Sequence, residues 1–192
     1  FITLLLMLAL VEIFKPVKHS WTPSLINTDK DPYGSYILYH ELGSLFPGKK
    51  IIESRVPVDE LELENNSSNN YIIILPEFPG DSIDAEKIRE FAEKGNSVLI
   101  ASERFPVHFL NKFGLGFSGE PNPLAAIDST LYFCNPAIKF PQFSVPSVGN
   151  PALYLSDSAL EIKTMIRNKK GDNKMISLKC GEGVVYFSTL PL

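Results

Sequence analysis

Apolar positions along this chain fall into runs of three kinds: one long unbroken block, two short blocks, and two stretches with helical spacing. The long block is "FITLLLMLALVEIF" at residues 1–14, interrupted only by Thr3 and Glu12. It has no one-sided stripe, so it predicts a membrane-spanning helix rather than an amphipathic one. At about 1.5 Å per residue it reaches only about 21 Å, short of a hydrocarbon layer about 30 Å thick. The chain is therefore expected to open inside that helix. "LVEIFKPVKH" lacks the small residues of a signal-peptide cleavage site. Residues 15–30 are Pro-rich and polar with no period, as in a tether.

Asp31 then stands where an N-cap belongs and Pro32 where a first helical residue belongs. The helix they predict carries Leu38, Leu42 and Leu45 at four- and three-residue spacing, with Ile37 and Phe46 beside them. This spacing commits one face to a core. "FPG" ends the helix. "KKIIESRV" at 49–56 predicts a short strand stopped by Pro57, and the acidic, Asn/Ser-rich "DELELENNSSNN" predicts a solvated loop. "YIIIL" at 71–75 is apolar on both faces, as in a central strand of a parallel sheet. "DSIDAEKIREFAEKG" predicts a helix capped by Asp81 or Ser82, with Ile88, Phe91 and Ala92 on one face and Gly95 as its stop. "SVLIA" at 97–101 is a second buried strand, and "PVHFLNKFG" a short helix.

The resulting β-α-β order implies a right-handed crossover and a doubly wound parallel sheet. After Gly114, prolines at 136, 141, 146 and 151 exclude a long helix. "ALYL", "KTMIRN", "KMISLKC" and "GVVYFSTL" predict an antiparallel β portion turned at "KKGDN" and "CGEG". The expected organisation is an anchor over 1–14, a tether over 15–30, and one α/β domain over 31–192.

Length changes this picture little: 192 residues suit a single core. Charge excludes one partner class. With 18 basic against 22 acidic residues and a net charge of -4, no cationic stripe is available for nucleic acid. Cys134 and Cys180 lie outside any C-x-x-C pair and predict two half-buried thiols or a single bridge. His19, His40 and His108 lack the spacing of a helical metal pair, so neither a metal nor a cofactor is implied.

Candidate chemistry is sparse. "GLGFSG" at 114–119 matches G-x-G-x-x-G, but a helix precedes it and Pro121 and Pro123 follow, the reverse of the dinucleotide context. Glu77 and Glu103 each follow a buried strand, where ligands of open α/β sheets bind. Ser102 occupies the elbow position of a hydrolase, with His108 and Glu103 near it in sequence, yet no glycine relieves the turn. Tyr33, Tyr36 and Tyr39 could line a ligand or partner wall, since tyrosine offers a large ring with a polar tip. The strongest expectation is a non-enzymatic binding or scaffold domain. A divergent serine hydrolase using Ser102 and a glycan binder using Tyr33, Tyr36 and Trp21 are the alternatives.

"SWTPSLINTDKDPYGSYILYHEL" behind an apolar helix, "YIIILPEF", "FAEKGNSVLIASERF", "LNKFGLGFSG" and "CGEGVVYFSTLPL" together resemble the membrane-anchored domain of unknown function 4350 family of Bacteroidetes. The resemblance spans residues 16–192. It implies a class I glutamine amidotransferase-like, flavodoxin-like fold, akin to the non-catalytic domains of intraflagellar-transport and gliding-motility transporter subunits. It also implies a second membrane helix and a periplasmic domain on the bacterial inner membrane, reached through the N-terminal helix; the unknown protein partner or small ligand belongs to the expected binding domain, at the carboxyl edge of its sheet. Lys15 and Lys18 behind the apolar block favour the cytoplasmic side instead; the resemblance is followed here. No amidotransferase triad carries over, because Ser102 stands where a cysteine would.

Overall fold

The computed structural model describes residues 2–3, 7, 10, 12, 14, 20, 22–56, 68–118, 130–144, 151–155 and 162–191. The chain divides into two compact units, residues 1–50 and 51–192. The division falls after the first complete helix, whereas the sequence suggested a domain that begins at Asp31.

In the first unit, positions 2, 3, 7, 10 and 12 are helical, and Ile2, Met7, Leu10 and Phe14 are exposed. Among the described residues no helix is long and apolar enough to cross a membrane; most of residues 1–14, over which the transmembrane helix is expected, lie outside the described residues. Helix α1, Tyr36–Leu45, starts later than the Asp31-Pro32 pair suggested, with Ser35 at its N-cap. Pro32, Tyr33 and Gly34 form a turn ahead of it, closed by Gly34 N–H donating to the Asp31 carbonyl at 2.9 Å. The leucine face does not reach a core: α1 buries none of its side chains.

Among the described residues the second unit is a mixed nine-stranded sheet with two helices. Strands β1 (Asn70–Glu77), β2 (Ser97–Arg104), β3 (Leu115–Ser118), β4 (Thr130–Phe133), β5 (Gln142–Ser144), β6 (Ala152–Leu155), β7 (Ile162–Asn168), β8 (Asn173–Cys180) and β9 (Gly183–Ser188) follow α1. Helix α2 (Ser82–Glu93) joins β1 to β2, and α3 (Val107–Asn111) follows β2. The order across the sheet is β1-β2-β9-β8-β7-β4-β5, with β6 pairing both β3 and β8. Only β1-β2 and β2-β9 are parallel; every other pairing is antiparallel.

This arrangement overturns the flavodoxin-like, doubly wound parallel sheet expected from the β-α-β order and the resemblance. The physical reason lies in β9. The strand that extends the parallel block comes from the end of the chain, by way of the hairpins β7-β8 and β8-β9, with no further crossover helix. A second correction concerns β1. Its apolar run suggested a central strand, yet it stands at the end of the path, and only Ile73 on it is buried. Residues 49–56, expected as a strand, form none.

Helix α2 follows its sequence signals closely. The Asp81 side chain accepts from Ile83 N–H and Asp84 N–H, Asp84 returns a bond to the Asp81 N–H, and Gly95 at φ 89° ends the helix. Its buried face, Ala85, Ile88, Phe91 and Ala92, packs on β2, β8 and β9. Phe78, Phe105, Phe109, Phe113 and Phe187 complete the core, with ring centroids 4.6 Å apart for Phe78–Phe109 and 5.1 Å for Phe113–Phe187. Burying such rings stabilises the core by about 2–3 kcal/mol each.

Buried Asn96 ties three segments together: it donates to the Phe91 carbonyl and accepts from Asn69 N–H, both at 2.9 Å, while its own carbonyl takes the Val184 N–H. Gly114 at φ 61° stops α3, and Leu115–Ser118 of the motif form β3. Gly116 there leaves room for the Tyr154 ring of β6 to lie across the strand, a packing reason for the glycine.

Candidate functional site

Two places hold the residues singled out by sequence. In the second unit they lie at the carboxyl ends of the parallel strands. Leu75 stands opposite Ser102, and Glu77 opposite Arg104. Partners in register share a face and successive residues alternate, so Glu77 keeps company with Arg104 and Ser102 while Glu103 takes the other face. The two carboxylates therefore do not converge on one crevice. Glu77 and Arg104 approach to 4.0 Å with both side chains exposed, a solvated pair worth about 0–1 kcal/mol.

Ser102 is fully buried. Its hydroxyl donates to the Arg104 carbonyl at 2.7 Å, has the Pro76 carbonyl as a second acceptor at 3.3 Å, and accepts the Arg104 N–H at 3.3 Å. All of these partners are backbone groups; His108 is exposed on α3 and is not among them.

The neighbouring strand repeats the device. Ser188, opposite Ala101 in register, is buried, donates to the Leu190 carbonyl at 3.3 Å and accepts the Leu190 N–H at 3.1 Å. Each serine hydroxyl bonds the carbonyl and the N–H of the residue two positions on, and the Arg104 carbonyl also accepts the Phe78 N–H at 3.0 Å. The hydroxyl at the elbow position thus serves the backbone, and no attacking group is presented. Sequence reasoning missed this role because it weighed Ser102 alone; "SER" and "STL" at the ends of two adjacent strands carry the signal.

Lys174 is a second residue that sequence reasoning missed. It is buried, donates to the Pro151 carbonyl at 3.3 Å, and lends its own carbonyl to the N–H and hydroxyl of buried Thr189 at 2.9 and 3.3 Å. Burial pushes its ammonium pKa down, Asp172 pulls it back up, and Lys170 adds to the depression. The signal was alternation: Lys174 is in phase with Ile176, Leu178 and Cys180, all on the buried face of β8. Cys180 is buried and unpaired, with its thiol pKa raised mainly by burial; Cys134 is exposed and also unpaired. Among the described residues no group of His, Cys, Asp and Glu is placed to hold a metal ion.

In the first unit the tyrosines gather around α1. The turn over residues 24–35 positions them. Leu25 N–H donates to the Tyr33 carbonyl and Ser35 N–H to the Ile26 carbonyl, each at 3.0 Å. The Asp29 carboxylate accepts the Asp31 N–H at 2.9 Å and the Ser24 hydroxyl. Gly34 is required here, because a Cβ would meet the Asp29 carbonyl. Tyr33 sits at φ 68°, a strained setting for a bulky residue.

On α1 the Tyr36 and His40 ring centroids are 4.0 Å apart, and Tyr39 meets His40 edge-on at 5.8 Å. His40 Nδ1 is 3.1 Å from the Tyr36 carbonyl oxygen. The Lys30 ammonium lies 4.6 Å from the Tyr36 ring centroid, within cation–π range. Ile37 and Leu45 on the same helix are 76% and 61% exposed. Tyr33, Tyr36 and Tyr39 therefore belong to one local cluster, and Glu77, Ser102, Glu103 and His108 to the other unit. Trp21 and His19 lie outside the described residues.

No protein-family model matches the chain, and no curated protein matches it. Among solved structures it is similar to part of the exo-β-1,4-mannosidase Op5Man5 from Opitutaceae bacterium strain TAV5, with TM-score 0.52 and 13% identity over 92% of this chain and 30% of that one. A β-galactosidase from Bacillus circulans sp. alkalophilus gives TM-score 0.42 and 11% identity over 63% of this chain and 20% of that one. At such identity the mannosidase likeness concerns the fold alone. The chain spans about 30% of the mannosidase's length.

Proposed function

We propose that the chain is a non-catalytic binding module, engaging a protein partner through the tyrosine-rich face of α1 and the turn before it. One observation carries this reading: α1 buries none of its ten residues although Ile37, Leu38 and Leu45 are apolar. Tyrosine, histidine and aliphatic side chains in one exposed cluster match the composition of interface hot spots. The commitment of the Ser102 hydroxyl to backbone carbonyls supports a binding role over a hydrolytic one. Association with a bilayer belongs to the same proposal and rests on exposed Ile2, Met7, Leu10 and Phe14.

The test is a photo-crosslinking residue at position 37 of the intact protein in its own cells. A discrete crosslinked partner, lost in a Tyr36→Ala/Tyr39→Ala variant that still folds, is the expected result. An identical crosslinking pattern with both tyrosines removed sinks the proposed surface.

The mannosidase likeness favours a second reading, in which the module binds glycan through Tyr33, Tyr36 and Trp21. Thermal denaturation with β-1,4-mannobiose discriminates, since a ligand preferring the native state raises the midpoint. An unchanged midpoint at millimolar sugar removes that reading and leaves the first.

A further inference from the structure

Among the described residues β1 has a strand neighbour on one side only, which makes it an edge of an unusual kind. Natural edges carry lysines, prolines or bulges that discourage pairing, but "YIIIL" at 71–75 has none, and Pro76 and Glu77 come only at its end. Its side chains record a missing neighbour. Tyr71, Ile72, Ile74 and Leu75 are half-buried, whereas β2, paired on both sides, buries Val98, Ile100, Ala101 and Ser102.

Residues 51–56 of the same unit show the converse. They form no strand, yet "IIESRV" is a β-prone sequence whose Ile51, Ile52 and Val56 are 39%, 70% and 48% exposed. The Glu53 carboxylate and the Arg55 guanidinium meet at 2.9 Å. In an extended backbone residues two apart share a face, and the Glu53–Arg55 pair is compatible with that arrangement. As a strand it would put Ile52 and Val56 on one face and the Glu53–Arg55 pair on the other.

We propose that residues 51–56 are a strap that closes on the open edge of β1 as an additional strand of the mixed sheet, shielding that edge from other chains. The connection allows it. Thirteen residues, 57–69, separate the two segments; extended, they reach about 43 Å, against about 27 Å for the length of the eight-residue β1. That suffices even for a parallel crossover, which needs about a dozen residues.

Amide hydrogen exchange on the full chain tests the strap. The expected result is protection of at least about tenfold over coil rates within residues 51–56, with matching protection of β1 amides and no dependence on protein concentration. Ile52→Pro, which removes a donor and blocks pairing, is expected to abolish protection in both segments while β2 and β9 keep theirs, showing that the unit still folds. Coil-rate exchange at 51–56 in the native chain overturns the proposal. So does edge protection of β1 that rises with concentration while 51–56 stays unprotected, because a second copy would then be the occupant.

Discussion

The hydroxyl of Ser102 donates to the carbonyl oxygen of Arg104, two residues along the same chain, at 2.7 Å. A serine held in this way is committed to the backbone at the strand's end. Ser102→Ala is expected to lower unfolding free energy by about 0.5–1.5 kcal/mol in urea denaturation, the net worth of the hydrogen bond its hydroxyl makes. A serine-reactive phosphonate probe is expected to leave Ser102 unlabelled in the native protein; stoichiometric labelling there would restore the hydrolase alternative.

Lys174 makes stability depend on alkaline pH. Its folded pKa is depressed below the unfolded value, so between the two values the unfolded chain binds more protons and stability rises with pH. Below that window the cost of burying the charge is fully present; above it the cost is gone. Compared with Lys174→Met at each pH, the wild-type protein is expected to gain unfolding free energy as pH climbs toward 10.5. A constant difference between the two from pH 7 to pH 10.5 would show that the amine is not desolvated.

Two glycines on the sheet are expected to behave in opposite ways. A Cβ on Gly183 would run into the carbonyl oxygens of Asn96 and Ala92, both backbone, whereas one on Gly116 would meet the tip of the half-exposed Tyr154 ring. Backbone cannot yield as a ring can. Gly183→Ala should cost more than about 3 kcal/mol or prevent folding, and Gly116→Ala should stay within about 1 kcal/mol of the parent. Similar melting temperatures for the two variants would contradict the close approach of β9 to α2.

The capping box of α2 gives a smaller, cleaner number. Asp81→Ala deprives Ile83 N–H and Asp84 N–H of an acceptor now at 2.6 and 3.1 Å. A loss of about 1 kcal/mol is expected, and Asp81→Asn should recover most of it.

Thiol accessibility separates the two cysteines. Cys134 is exposed, while Cys180 is buried with a raised pKa, and the thiolate is the reactive form. One equivalent of alkylating reagent is expected to react quickly in the native protein and a second only on unfolding. Rapid modification of both would mean that β8 opens readily.

The elements with strong local signals were legible in sequence. Asp81 and Gly95 bracket α2 through cap chemistry, and the alternation of β8 survives unchanged because its period selects the buried face whatever lies beside it. Pairing was not legible. Nothing local to "GVVYFSTL" says that it inserts beside "SVLIA" in parallel, because register between distant strands is settled by packing across the whole sheet. The same blindness misplaced β1: an apolar run looks alike at an edge and in a centre. At the candidate sites, residue types drew attention to Ser102 and the tyrosines, but role depended on burial. The hydroxyl turned inward to the backbone, and the leucines of α1 turned out not to be a core face.

The place of β9 also bears on how the molecule comes into being. Among the described strands it alone borders both β2 and β8, and it follows both in the chain. While residues 183–188 remain in the exit tunnel, the nascent chain holds two half-sheets with no shared member, and both flanks of that gap offer unpaired amides to whatever passes. Joining them takes one late insertion, so a nascent chain stalled with residues 183–188 still inside the tunnel should be chaperone-bound and protease-sensitive, and one lengthened until they clear it should become resistant.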